Sequence, residues 1–286
     1  MRLSLLMIAA MMLWGGGWPA LKILTESVPW EVATFWRFAL MSIAFVPVLW
    51  WHKKRISLSP SALSWVGVSA MLNAVFMGLS FWGVKIGTAG AGGVIITTLS
   101  PVITVGIAIF FLGYRPTLRH WIGLGIGVIG GAVMLQVWES EVFFHGGNVI
   151  FVLCALVWAV LTLAAQKSHV HIDPVHYTFL LGLTATLIMF VIAYPYGIEK
   201  AFQQDERFWA AMVYLAVLGQ TVASTIYFIA SGAMGSGRAS SYMFLVPVSA
   251  LATSFILLGE IPSASLIIGG IISMAAVYLI NHRQRA

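Results

Sequence analysis

Within long apolar stretches the sequence places a small set of side chains that could contact a solute: Trp14, Trp18, Arg37, Asn73, Met77, Ser80, Trp158, Gln220, Ser224 and Tyr227. They are binding groups and contain no nucleophile–base pair. Asn73, Met77 and Ser80 recur at helical spacing, and so do Gln220, Ser224 and Tyr227. Asn73 and Gln220 occupy nearly matching positions in the two halves of the chain. Two neutral amides could hydrogen-bond a zwitterionic solute without the desolvation cost of a buried charge. The plain alternative is an interhelical hydrogen bond worth about 0.6 to 2 kcal/mol. Trp14, Trp18 and Trp158 offer aromatic walls with a polar handle, or serve as packing and interface residues. The run Gly15-Gly16-Gly17 before Trp18-Pro19 invites close packing or a bend. Pro101 and Pro247 each remove a helix hydrogen bond, making them candidate hinges or simple curvature points.

Arg37 is the charge set deepest in an apolar run, roughly 9 Å from its outer end at 1.5 Å per residue. Unpaired there it costs about 2.5 to 3.5 kcal/mol, so it needs a partner, a wet cavity or a path to the interface. It could attract a substrate carboxylate or snorkel. Every Asp and Glu falls at a helix end or in a loop, which leaves no obvious proton carrier at mid-membrane; Glu260 is the nearest to one. The seven histidines all lie at run boundaries, and His169, His171 and His176 read as a polar loop in preference to a metal site. No phosphate-cradling motif is present, so neither ATP drive within the chain nor any cofactor is expected.

The elements that position these groups follow from composition. The chain of 286 residues is 60% hydrophobic and 8% charged, with a mean hydropathy of +0.96. That is too little polar surface for a water-soluble fold. Apolar runs long enough to cross a bilayer fall at residues 3–23, 31–51, 62–83, 88–112, 118–138, 146–166, 174–196, 208–231, 236–258 and 263–281. The fold class is therefore all-α and polytopic, with ten transmembrane helices. The first run, which follows Arg2, reads as a spanning helix and not a secretory leader, since no soluble domain follows. The net charge of +6 comes from short basic clusters between runs, which argues against nucleic acid as a partner. Cys154 lies inside a run with no second cysteine, so it reads as a small buried hydrophobe.

Basic residues set the orientation. Arg2, Lys53, Lys54, Arg55, Arg115, Arg119, Lys167, Arg238, Arg283 and Arg285 share one side, and most acidic residues share the other. Both termini are expected in the cytoplasm. The chain also repeats itself: Leu99, Pro101, Leu112, Gly113, Pro116 and Gly123 match Leu245, Pro247, Leu258, Gly259, Pro262 and Gly269 at one offset, and Trp14 matches Trp158 at a slightly smaller one. Residues 1–140 and 141–286 thus form two repeats of five helices. An odd number of helices turns the second copy upside down, an architecture of secondary transporters with a midplane substrate site.

Leu13-Trp14-Gly15, Phe35-Trp36-Arg37-Phe38, Leu99-Ser100-Pro101-Val102 and Leu112-Gly113-Tyr114-Arg115-Pro116, with Leu245-Val246-Pro247-Val248 and Leu258-Gly259-Glu260-Ile261-Pro262, resemble the EamA-type repeat of the drug/metabolite transporter superfamily. The resemblance implies a ten-helix carrier that exports amino acids or other small metabolites from the bacterial cytoplasm across the inner membrane by alternating access, as a monomer or homodimer among lipids. Two departures stand out: Tyr114 replaces the usual glutamate after Gly113, and no arginine in the seventh helix answers Arg37. The alternatives are a multidrug exporter of the same fold, recognising hydrophobic cations through its aromatic cavity, and a channel, for which a filter-like segment is missing.

Overall fold

The computed structural model describes residues 2–52, 54, 56, 59–138, 146–258 and 263–281. Glu260 and the repeat residues Gly259 and Pro262 lie outside the described residues, as do Lys53, Arg55, Arg283 and Arg285. The helices are α1 (Arg2–Gly15), α2 (Gly17–Ser27), α3 (Trp30–His52), α4 (Pro60–Ile86), α5 (Ala89–Leu112), α6 (Leu118–Leu135), α7 (Gly146–Ser168), α8 (Pro174–Ala193), α9 (Glu206–Val213), α10 (Thr225–Met234), α11 (Ser236–Ser241), α12 (Val246–Leu258) and α13 (Ala264–Asn281). A π-helix, Tyr214–Ser224, joins α9 to α10, and a 3-10 turn, Tyr242–Leu245, joins α11 to α12. No strand occurs among the described residues.

Nine helical segments are long and apolar enough to cross a membrane among the described residues. The ninth span expected from the sequence, 236–258, is instead assembled from α11, the 3-10 turn and α12. Its physical cause lies in Pro247, the second residue of α12. Proline cannot donate to the carbonyl of Met243, which the Val246 N–H takes as the last bond of the 3-10 turn.

Polar residues cap the helices at their starts. Ser59, Thr88, Thr117, Asp173 and Asp205 each accept a backbone N–H from the first turn of α4, α5, α6, α8 and α9. Gly113 ends α5 at φ 60°, a conformation that suits glycine.

Packing is closest between a few helix pairs. α3 lies on α8, and α6 lies on α13. α4 packs on α7 as the π-helix packs on α1; α5 packs on α7 as α12 packs on α1. Lipid offers helices no hydrophobic reason to associate, so close van der Waals approach must do it. Between α6 and α13 that approach brings backbone to backbone: a Cβ added at Gly130 would lie 2.9 Å from the Gly269 carbonyl oxygen, and one added at Gly269 would lie 2.6 Å from that of Gly130.

The sequence run at Gly15 has the same logic. A Cβ on Gly15 would collide with Ser249 Oγ and come within 2.6 Å of the Ala250 nitrogen on α12. One on Gly16 would collide with the Tyr214 hydroxyl. The helix is interrupted between α1 and α2 at this point, where the Gly16 N–H reaches the Met12 carbonyl at only 3.4 Å.

Candidate functional site

The two halves line a half-open cavity of about 90 Å³. By the same measure one water needs roughly 10–15 Å³, so the space suits a small solute. Its walls come from α1 and α2 (Leu13, Trp14, Gly17, Trp18, Leu21), α3 (Arg37), α4 (Phe76, Met77, Ser80) and α5 (Ile96, Thr97). The second half adds Trp158, Leu215, Gly219, Gln220, Met243 and Val246.

Trp14 and Trp158, the repeat-matched tryptophans, meet edge to face with centroids 5.2 Å apart. Phe76 leans on Trp158 at 4.9 Å, and Tyr227 touches Trp14 at 5.0 Å and Trp158 at 5.8 Å. Such pairs add about 0.5–1.5 kcal/mol each beyond their burial. The indole of Trp14 is further fixed by a 3.0 Å bond to the Gly219 carbonyl.

That bond lands in the π-helix. Side chains there reach back five residues: Thr221 Oγ1 donates to the Ala216 carbonyl at 3.0 Å, and Ser224 Oγ donates to that of Gly219 at 3.1 Å. These bonds fit the widened turn, a feature frequent at functional sites. Ser224 Oγ also lies 3.2 Å from Gln220 Oε1 as its donor, which leaves the buried Gln220 Nε2 with no partner.

Arg37 is 8% exposed, its Nε has no hydrogen-bond partner, and no carboxylate among the described residues forms an ion pair with it. A guanidinium kept in a predominantly apolar cavity has a strong demand for an anionic or polar partner.

Of the candidates drawn from the sequence, the cavity gathers Trp14, Trp18, Arg37, Met77, Ser80, Trp158 and Gln220. Ser80 Oγ also faces Cys154 Sγ at 3.7 Å. Three others stand behind the wall. Asn73 is buried a turn away from Met77, its Oδ1 unpartnered, and no hydrogen bond joins it to Gln220. Ser224 positions Gln220, and Tyr227 bonds Thr162 Oγ1 at 3.0 Å behind the paired tryptophans.

Thr97 and Met243 escaped sequence reasoning, although a signal existed. Each lies four residues before a matched proline, Pro101 or Pro247, and so carries the carbonyl that proline cannot bond. The candidate hinges thus put a freed or redirected carbonyl on residues of the cavity wall from both repeats. Glu31, read as a boundary residue, is buried in the first turn of α3 with Oε2 unpartnered.

Outside the spans, Tyr114, the departure from the usual glutamate, has its hydroxyl 3.2 Å from His120 Nδ1 and its ring against Gly237. Burial pushes its phenol up, and the charge of Arg238 opposes this.

The chain resembles an uncharacterized transporter of Archaeoglobus fulgidus, 28% identical over 98% of this chain and 97% of the relative. It is 27% identical to a probable terminal-alkyne amino-acid exporter of Streptantibioticus cattleyicolor over 71% of this chain and 67% of that protein. It is 22% identical to an S-adenosylmethionine uptake transporter of Rickettsia felis over 89% and 83%. A crystal structure with 16% identity shares the fold, with a TM-score of 0.77 over 98% of this chain and 96% of that one. The EamA-like transporter family matches twice, over residues 1–136 and 145–282. This chain is therefore a membrane transporter, not an enzyme, and belongs to the EamA-like transporter family.

Proposed function

We propose that the chain carries amino acids or close derivatives, holding the solute carboxylate at Arg37 and its apolar body among Trp14, Trp18, Phe76 and Trp158. The carrying observation is the buried Arg37 guanidinium, without an acidic partner among the described residues, in the wall of an aromatic cavity. Bidentate donation to a carboxylate is what guanidinium geometry serves best. Gln220, with its Nε2 unpartnered, supplies a second donor.

Two relatives support this cargo: one is named an amino-acid exporter, and the other is named for S-adenosylmethionine, an amino-acid derivative. Their names differ in direction. We assign export from the bacterial cytoplasm across the inner membrane, on the resemblance read in the sequence. Both termini lie in the cytoplasm, since Arg2, Lys54, Arg115, Arg119, Lys167 and Arg238 gather at one side. The halves 1–140 and 141–286 are inverted repeats that rock about the cavity. The self-paired contacts of α3 with α8 and α6 with α13 support a twofold relation between the halves.

Counterflow in proteoliposomes tests the reading. Vesicles preloaded with unlabelled amino acids should accumulate labelled neutral or aromatic amino acids, and Trp158→Ala and Gln220→Ala should weaken the exchange. Folded protein that exchanges no amino acid would reject this cargo. Saturable movement of hydrophobic cations instead would establish the multidrug reading.

A further inference from the structure

Away from the cavity, where α3 ends and α8 begins, the structure assembles a cluster that spacing in the sequence concealed. His52 is the last residue of α3. Asp173 caps α8, its Oδ1 accepting the Val175 N–H at 3.2 Å, and His176 lies in the first turn. His52 Nε2 is 2.7 Å from Asp173 Oδ1, and the imidazole centroids of His52 and His176 are 5.2 Å apart at 77°. One donor atom from each of the three residues lies within 4.8 Å of the other two. His176 is 2% exposed and its Nδ1 has no hydrogen-bond partner. A buried polar atom of this kind demands an explanation.

We propose that His52, Asp173 and His176 form a binding site for a divalent transition-metal ion of the Zn²⁺ type. Two imidazoles and one carboxylate suit a borderline-soft ion, with water completing a tetrahedral shell, whereas Ca²⁺ and Mg²⁺ favour oxygen ligands throughout. Ligand bonds of about 2.0–2.2 Å put donor atoms roughly 3.3 Å apart, so around the ion the 2.7 Å pair of His52 and Asp173 would open slightly while the wider separations, up to 4.8 Å, close. Burial works to raise the Asp173 carboxyl, but hydrogen bonds from Lys54 and His52, the charge of His52 and the Val175 N–H hold it below the usual carboxylate range. It is an anionic ligand at neutral pH.

Lys54 is the competitor. Its Nζ sits 2.7 Å from Asp173 Oδ2, yet the side chain is 63% exposed and free to swing into water. An ion entering between the imidazoles would displace this ammonium and the hydrogen bond between His52 and Asp173. The other loop histidines are not part of the set. His169 bonds the Phe228 carbonyl through Nε2 at 2.9 Å, and His171 is exposed outside the cluster. A bound ion would join one half of the chain to the other at a single membrane face, the one we assign to the cytoplasm.

The test uses tag-free full-length protein in detergent, stripped with chelator and titrated with Zn²⁺ by calorimetry. The site predicts one ion per chain, weakened at least about tenfold by His52→Ala or His176→Ala. It also predicts tighter binding by Lys54→Ala, which removes the competing cation. Zn²⁺ should raise the thermal unfolding midpoint of the wild type more than that of His176→Ala. No bound Zn²⁺, or binding that both histidine variants leave unchanged, overturns the site. If the histidine variants fail to fold, the exposed Lys54→Ala decides: tighter binding supports the site and unchanged binding rejects it.

Discussion

The Trp14 indole donates to the Gly219 carbonyl across 3.0 Å, so the first helix of one repeat is latched to the widened turn of the other. The next residue, Gln220, lines the cavity. The position of its amide therefore depends on a contact made 205 residues apart in the chain. Trp14→Phe keeps a smaller aromatic ring and deletes the donor. We expect stability to fall by about 1–3 kcal/mol from the lost hydrogen bond and packing, read as a lower midpoint in thermal unfolding, with a weaker apparent solute affinity in counterflow.

Arg37 gives the sharpest test of cargo. Arg37→Gln should lower apparent affinity for a carboxylate-bearing solute by about 10- to 100-fold, the equivalent of a charge-assisted hydrogen bond of ~1.5–3 kcal/mol. Arg37→Lys should recover part of it, because a point charge replaces the planar fork. Amide derivatives of the same solute should be insensitive to either change. Equal losses for acid and amide would assign Arg37 a structural role.

Tyr227 distinguishes wall from support. Its hydroxyl bonds Thr162 Oγ1 at 3.0 Å and is absent from the cavity lining. Tyr227→Phe should therefore cost about 1 kcal/mol of stability while leaving apparent solute affinity unchanged. A shift in affinity without loss of stability would bring this hydroxyl into the binding site.

The seam between α6 and α13 permits no added carbon. Gly130→Ala and Gly269→Ala each push a Cβ against backbone of the facing helix, and overpacking of this kind costs about 1–3 kcal/mol. Gly125→Ala, on the same α6 but with nothing within 4 Å of the added carbon, is the matched control and should be close to neutral. Thermal unfolding of the three variants in detergent measures the difference.

The spanning helices were legible because the bilayer imposes one simple length rule, which a run such as 88–112 satisfies without help from its neighbours. The cavity was partly legible for a related reason. Polar side chains are costly against lipid, so Arg37, Ser80 and Gln220 betray an interior environment wherever it lies. What stayed hidden depends on tertiary partners. The π-helix goes with tertiary and five-residue bonds such as Thr221 to Ala216 and Trp14 to Gly219, and no period in the sequence records these. Asn73 and Gln220 looked like a pair because the repeat aligns them, yet Gln220, in the widened turn, lines the cavity while the buried Asn73 does not. The histidine cluster needed His52, which is 121 residues away from Asp173 and invisible to any local window.

A joint in which backbone touches backbone has almost no slack. Large side chains can change rotamer and absorb displacement, but the backbone of the facing helix, within 3 Å of a Cβ added at Gly130 or Gly269, cannot yield in that way. If the two halves exchange between inward and outward arrangements, this seam should turn as one piece, like an axle. Strain should then collect where the helices are already interrupted, at Gly16 and at the turn before Pro247.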